Sequence, residues 1–243
     1  MALGASCVRP IELARAYAAI ARRGWAVAPH LAIRVRRGDT ALFDTAVPED
    51  PWIDPARRFD RIAATAGADP AERVGAPGGR QGGRLLDEQV AFQLTDMMSA
   101  VVARGTAAAA AALGRPAAGK TGTTNDNTDA WFLGFTGRVL GAVWVGFDDP
   151  AHKLGPEGDG AHAALPLWMR AVSAAEGSRP PSAVPGPPPD GMERAAIDRE
   201  TGLVAAPGTG GLSLWFRPGT APTEVAGQPG TSPTDFGRSS SEF

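Results

Sequence analysis

The chain has 243 residues, 43% of them hydrophobic, which is enough to bury the core of one domain with appendages or of two small domains. A net charge of -2 and a pI near 5.9 give no general electrostatic attraction to nucleic acid, which is therefore not predicted as a partner. The single cysteine, Cys7, excludes an internal disulfide, and no apolar run reaches the roughly 18 residues that suggest a membrane span.

The first predicted element is a helix over residues 10–22. Proline suits the first position of a helix, and Gly24 lies where a glycine commonly ends one. Apolar residues recur at helical spacing, which predicts a buried face of Ile11, Ala14 and Ala18, with Tyr17 as a further candidate.

A hairpin is predicted next. Apolar and polar residues alternate in residues 33–36 and 40–43, and Gly38-Asp39 between them is a typical turn pair. Residues 48–83 are rich in proline, glycine and charge without a clear period, so we interpret them as a long surface excursion.

A second helix is predicted over residues 88–104. Asp87 is a favourable N-cap, and Gly105 follows the last turn. The spacing predicts a buried face of large apolar residues: Val90, Leu94, Met97 or Met98, and Val101. Phe92 and the methionine pair are interpreted as core filling.

Two apolar, aromatic-rich runs predict antiparallel strands in the middle of the chain. They cover residues 129–135 and 139–147, and the short segment between them reads as a hairpin turn. A third helix is predicted over residues 163–175, with Leu167, Trp168 and Val172 directed inwards.

The loop between these elements contains His152 and His162, with Glu157 and Asp159 between them. The surrounding glycines and proline provide no regular element that would fix ligand geometry. We therefore predict no metal site, and no cofactor is predicted elsewhere.

A proline-rich linker predicts the domain boundaries. Successive prolines stiffen residues 177–190, which separate a main domain over residues 1–176 from a small extension over residues 191–227. Two short strands are predicted in the extension, at residues 195–198 and 212–216. Residues 228–243 are predicted to be a disordered tail.

Two chemistries fit the stretch Gly119-Lys120-Thr121-Gly122-Thr123-Thr124. Residues 114–121 match G-x-x-x-x-G-K-[ST], the phosphate-binding loop of nucleotide hydrolases. The same lysine opens Lys-Thr-Gly, a signature of penicillin-binding proteins and class A β-lactamases.

The flanking residues favour Lys-Thr-Gly on a strand. A phosphate loop needs a buried strand before it and a helix directly after it, so that backbone N–H groups converge on the anion. Here an alanine run with high helix propensity precedes Gly114, and Thr-Asn-Asp-Asn is a poor start for a helix. Nucleotide binding therefore remains the less favoured alternative.

Several stretches together resemble the C-terminal half of the transpeptidase domain of class A (bifunctional) penicillin-binding proteins. They are residues 3–6 and 10–17, the motif region 114–124, the strand residues 129–132 and 143–148, and the tail segments 197–203 and 216–222. The implied fold class is α/β (α+β), the penicillin-binding transpeptidase or β-lactamase-like fold, with helices covering an antiparallel sheet that is incomplete in this chain.

The resemblance implies acyl transfer on peptidoglycan stem peptides, with β-lactams as substrate mimics, at the periplasmic face of the bacterial inner membrane. Lys120 would supply positive charge, and the Thr121 and Thr123 hydroxyls would bind the terminal carboxylate of the substrate. Gly122 would allow close approach, Thr124 would border the substrate, and the Thr123 N–H would donate to the oxyanion. Lys120 and Thr123 are thus the catalytic candidates.

Two further signatures of the family are absent from this sequence. Its two lysines, Lys120 and Lys153, follow Ala117 and Pro150 by three positions, so neither completes S-x-x-K. Neither asparagine completes S-x-N. We expect a fragment whose partner is the missing N-terminal half of the same domain; a non-catalytic binding module is the alternative.

Overall fold

The structure, a computed structural model, describes residues 8–27, 29, 34–44, 84–149 and 151–227. By their contacts they fall into two units, the first ending at Pro187 and the second beginning at Pro188. The predicted surface excursion and the predicted disordered tail lie outside the described residues, and the predicted domain boundaries stay predictions. Within the described ranges, no helix combines the length and apolar character needed to cross a bilayer.

Helix α1 (Pro10–Ala21) begins with proline at its first position, as predicted. Its burial is concentrated at the C-terminal end, at Ala19 and in the segment 24–26 that follows. Ile11 in the first turn is 51% exposed, so its predicted burial is wrong. The helix is thus buried mainly at its C-terminal end, which the spacing of apolar residues does not reveal.

The predicted hairpin is confirmed. Strands β1 (Arg34–Arg37) and β2 (Thr40–Asp44) pair antiparallel around Gly38-Asp39, and Gly38 has a positive φ of 56°. Glycine tolerates that conformation without strain, which explains the turn position.

Helix α2 (Glu88–Arg104) has the predicted bounds, and the Asp87 carboxylate accepts hydrogen bonds from the first-turn N–H groups of Gln89 and Val90. Its buried face is different from the prediction. The buried positions are Ala91, Phe92, Thr95 and Val102. The predicted Val90, Leu94, Met98 and Val101 are half-buried, and the alternative Met97 is 59% exposed. Of the residues expected in the core, only Phe92 is buried.

A three-stranded antiparallel sheet forms the centre of the first unit. A short 3-10 helix (Ala108–Leu113) leads into β3 (Ala118–Thr123), which pairs with β4 (Asp129–Phe135). Strand β5 (Leu140–Gly146) pairs with the other side of β4, giving the order β3-β4-β5. The predicted helix leading into three antiparallel strands is confirmed, as a 3-10 helix.

A π-helical turn (Gly160–Ala164) leads into helix α3 (Leu165–Glu176), which packs on the sheet through Trp168. The Trp168 ring is fully buried, meets Phe132 edge-on at 4.9 Å, and donates its N–H to the Gly134 carbonyl at 3.1 Å. A Cβ at Gly141 would lie 2.8 Å from the same ring, so glycine makes room for it. Leu167, predicted to point inwards, is 47% exposed.

Glu176 at the end of α3 is a buried charge, 1% exposed. Its carboxylate accepts a hydrogen bond from the Thr136 hydroxyl and lies 3.1 Å from the Arg115 guanidinium. Buried charges are tolerated when they are paired in this way. The pairing joins the end of α3 to the β4–β5 turn and to the segment that enters β3.

The second unit contains an antiparallel pair, β6 (Glu193–Ile197) and β7 (Leu212–Phe216), which confirms the two predicted strands. The Arg194 guanidinium lies 5.4 Å from the centre of the Trp215 ring and donates to Ser213. Cross-strand contacts of this kind stabilise an antiparallel pair.

Candidate active site

Strand β3 is an edge strand of the three-stranded sheet, and its backbone directions follow from the pairing. The Thr124 N–H donates to the Asp129 carbonyl at 3.1 Å, and the Thr136 N–H donates to Val139 at 2.9 Å. Paired and unpaired positions alternate along antiparallel strands. The amides of Thr121 and Thr123 therefore point away from β4, towards the open edge.

The backbone N–H and C=O groups of Lys120 and Gly122 point the other way, towards β4. The Lys120 side chain is exposed, and its Nζ donates to the Thr121 carbonyl oxygen at 2.8 Å. Since Lys120 through Thr123 continue a strand, the helix required after a phosphate loop is not formed here.

The Thr121 and Thr123 hydroxyls lie on the same face of β3, because side chains two residues apart in a strand point the same way. Thr121 Oγ1 is 2.7 Å from Thr106 Oγ1, in the turn after α2. Thr123 Oγ1 accepts a hydrogen bond from the Gly160 N–H at 3.0 Å. The turn after α2 and the turn at Gly160 thus hold the hydroxyls of Thr121 and Thr123 in position.

Comparison with known families identifies the family of the chain. Residues 1–153 match the family model of the penicillin binding protein transpeptidase domain. The chain belongs to this transpeptidase family. The Lys-Thr-Gly sequence lies on a strand, β3, as predicted, and its function in catalysis stays a prediction.

Relatives of the transpeptidase chain support the penicillin-binding protein 1A type. It is 34% identical to penicillin-binding protein 1A of Pseudomonas aeruginosa over 87% of this chain and 28% of that protein. Its identity to penicillin-binding protein 1A of Rickettsia bellii is 38%, over 51% of this chain and 15% of the relative. The chain thus spans less than a third of the length of these curated relatives.

The fold is that of the same family. A crystal structure of penicillin-binding protein 1A from Haemophilus influenzae matches with a TM-score of 0.70 and 27% identity, over 92% of this chain and 34% of that one. The predicted penicillin-binding transpeptidase fold, an antiparallel sheet covered by helices, is confirmed.

Thr124 directly follows β3 and stabilises the β3–β4 connection. Its hydroxyl oxygen accepts hydrogen bonds from the N–H groups of Thr128 at 3.0 Å and Asp129 at 2.9 Å. The Thr124 hydroxyl therefore stabilises the turn, and a contact of this residue with substrate stays a prediction.

Sequence reasoning did not find Gly160, which lies directly on β3. A Cβ there would be 2.4 Å from the Trp131 carbonyl oxygen and 2.8 Å from that of Gly122, so no other residue fits without a shift of backbone. The Asp159 carboxylate caps the same turn by accepting from the N–H groups of Ala161 and His162. The only sequence signal was a glycine-rich loop, which indicates neither a partner nor a direction.

His162 Nδ1 donates to the Asp159 carboxylate across 2.6 Å, beside the turn that contacts Thr123. The hydrogen bond with Asp159, and then the charge of that carboxylate, raise the pKa of His162 above its ordinary value. The same bond lowers the pKa of Asp159. The stabilisation from this pair is therefore present while both groups are charged, and it is lost as pH rises through the raised pKa of His162 or falls through the lowered pKa of Asp159.

We expect Asp159→Asn to lower the pKa of His162 towards its ordinary value, because the partner loses its charge. NMR titration of the imidazole measures this directly. Asp149→Asn is the matched control, since Asp149 pairs with His152 at 3.3 Å. A His162 pKa that is unchanged by Asp159→Asn, or changed equally by the control, contradicts the assignment.

Proposed function

We propose that this chain supplies the Lys-Thr-Gly strand of a peptidoglycan D,D-transpeptidase, which cross-links stem peptides by serine acyl transfer and binds penicillin. The observation that carries the proposal is the edge of β3 that pairs with no other strand in the described part of the chain. This edge combines the outward amide of Thr123, the hydroxyls of Thr121 and Thr123, and the Lys120 ammonium group at the Thr121 carbonyl. These groups combine hydrogen-bond donors with a positive charge, as an anionic peptide end requires.

The two hydroxyls suit the terminal carboxylate of a D-Ala-D-Ala stem peptide. A carboxylate only accepts hydrogen bonds, so each threonine must donate its O–H proton to it. The Gly160 N–H already donates to Thr123, which leaves the Thr123 proton available for substrate. Lys120 adds favourable charge at the same edge.

The outward Thr123 N–H is the proposed oxyanion donor. Acyl transfer needs donors placed where negative charge develops on the carbonyl oxygen, and a backbone N–H at an open strand edge satisfies this need. The second donor and the nucleophile would come from the segment that carries S-x-x-K and S-x-N. The same assembly would act at the periplasmic face of the inner membrane.

The test uses the joined protein, defined here as this chain together with the in-frame segment upstream of Met1. We expect the joined protein to be labelled covalently by a fluorescent penicillin, and the chain alone to remain unlabelled because it has no S-x-x-K. Labelling of the chain alone would show that the nucleophile has been misassigned. An upstream segment without S-x-x-K would favour a non-catalytic binding module.

Lys120→Met in the joined protein should slow acylation by penicillin about 10- to 100-fold, the usual loss for a hydrogen bond to a charged group. Lys153→Met is the matched control, because it removes the other lysine and the same charge. Lys153 is exposed and lies 3.3 Å from Asp126. The rate constant of labelling, followed by fluorescence on a gel, should fall only for Lys120→Met; equal losses would contradict a local function of Lys120.

A further inference from the structure

Thr106 lies outside every motif of the site, yet its hydroxyl meets that of Thr121. The two oxygen atoms are 2.7 Å apart, and either atom can be the donor. Thr106 belongs to the turn between α2 and the 3-10 helix, fifteen residues before Thr121 in the chain. This contact is the link between that turn and the proposed carboxylate-binding hydroxyls.

Backbone packing holds this turn in place independently of the hydroxyl contact. A Cβ at Gly105 would lie 2.8 Å from the Val101 Cα, so the backbone there passes too close to α2 for a side chain. Ala107 is fully buried, and its N–H donates to the Val101 carbonyl at 3.2 Å. Residues on both sides of Thr106 are thus anchored, and its hydroxyl is presented to Thr121 by a fixed backbone.

We propose that Thr106 is a positioning residue that donates its hydroxyl proton to Thr121 and so directs the Thr121 proton to the substrate carboxylate. This inference rests on the proposed function of β3. A hydroxyl has one proton, and Thr121 cannot donate to both Thr106 and a carboxylate. When the carboxylate is bound, Thr106 must therefore be the donor of the pair.

Thr123 has the same arrangement with a different donor. The Gly160 N–H can only donate, so it occupies a lone pair of Thr123 and leaves the Thr123 proton available. Thr106 and Gly160 thus each donate a hydrogen bond to a threonine hydroxyl, at Thr121 and Thr123 respectively, and leave its proton available for substrate. Both hydroxyls are then oriented before substrate arrives, which reduces the entropy lost on binding.

The test compares Thr106→Val, which removes the hydroxyl at nearly constant volume, with Thr106→Ser, which retains it. The joined protein is acylated with a penicillin and, separately, with the methyl ester of the same penicillin. We expect Thr106→Val to slow acylation by the free acid about fivefold, the usual effect of one neutral hydrogen bond. Thr106→Ser should restore the rate, and the ester should react equally with all three proteins.

A double-mutant cycle with Thr121→Val separates positioning from a structural effect. If Thr106 acts through Thr121, Thr106→Val causes no further loss once Thr121 is valine. Equal losses for acid and ester, or full additivity with Thr121→Val, would overturn the inference and leave the proposed function intact. Absence of labelling in the unsubstituted joined protein would instead overturn the proposed function.

A second measurement does not need the nucleophile. The chain itself is titrated with N-acetyl-D-alanyl-D-alanine and with its C-terminal amide, and binding is followed by the NMR shifts of the threonine methyl groups. We expect Thr106→Val to weaken binding of the acid about fivefold and to leave binding of the amide unchanged. A variant that binds both peptides like the unsubstituted chain would contradict the inference.

Discussion

Replacing Trp168 by alanine should destabilise the first unit by about 3–5 kcal/mol, the usual cost of removing a large aromatic side chain from a core. Trp168 is fully buried against Phe132, and the backbone of Gly134 and Gly141 leaves space only for that ring. The substitution also removes the indole N–H that satisfies the Gly134 carbonyl. The expected result is a large decrease in the free energy of unfolding, measured by urea denaturation.

Leu167→Ala is the matched control for this experiment. Leu167 is adjacent on the same helix and was also predicted to point inwards, but it is 47% exposed. Its substitution should change the free energy of unfolding by less than about 1 kcal/mol. Similar losses for both variants would show that α3 is rotated relative to the sheet in solution.

Thr123→Pro in the joined protein should reduce the rate of acylation by penicillin about 10²–10³-fold relative to Thr123→Val, the usual effect of losing one oxyanion donor. Proline has no N–H, whereas valine retains it, and both lack the hydroxyl that contacts Gly160. The comparison therefore isolates the backbone donor. Acylation rates from stopped-flow or gel labelling provide the measurement.

The strand should accept this proline because the Thr123 N–H points to the open edge, and edge positions of that kind tolerate proline. Thermal unfolding of the two variants serves as the control, and similar midpoints are expected. A proline variant that folds and reacts as fast as the valine variant would show that Thr123 is not the oxyanion donor.

The local elements could be predicted because their signals are local. The N-cap at Asp87, the turn at Gly38-Asp39 and the apolar runs of β4 and β5 each act within a few residues. Lys120 and its neighbours could be placed on a strand for the same reason. The residues around the motif lack the strand and the helix that a phosphate loop needs, and this is evident from the sequence alone.

The buried faces of the helices were harder to predict. The spacing of apolar residues identifies an apolar face of a helix, but it does not show which part of that face packs against other elements. Ile11 and Met97 lie on plausible apolar faces, yet they are exposed at 51% and 59%. Ala91 and Thr95 are buried instead, since close packing favours small side chains. The Thr95 hydroxyl remains satisfied by donating to the Ala91 carbonyl within the helix.

The supports of the site were not predictable at all. Thr106, Gly160 and Glu176 form hydrogen bonds with residues 15, 37 and 40 positions away, and each belongs to a turn or a helix end whose direction depends on tertiary packing. None of them is unusual in its local sequence. Tertiary packing brings Thr106 and Gly160 to β3, and Glu176 to the β4–β5 turn.

Gly160 and Glu176 lie later in the chain than their hydrogen-bond partners Thr123 and Thr136, so they are synthesised after them. Thr123 leaves the ribosome 37 residues before its partner Gly160, and Thr136 leaves 40 residues before Glu176. At the usual elongation rate of about 5–20 residues per second, β3 spends seconds as an exposed edge without its later partners. A stop codon between β5 and Gly160 would therefore leave every predicted site residue in the product and still yield a strand that cannot reach its final geometry.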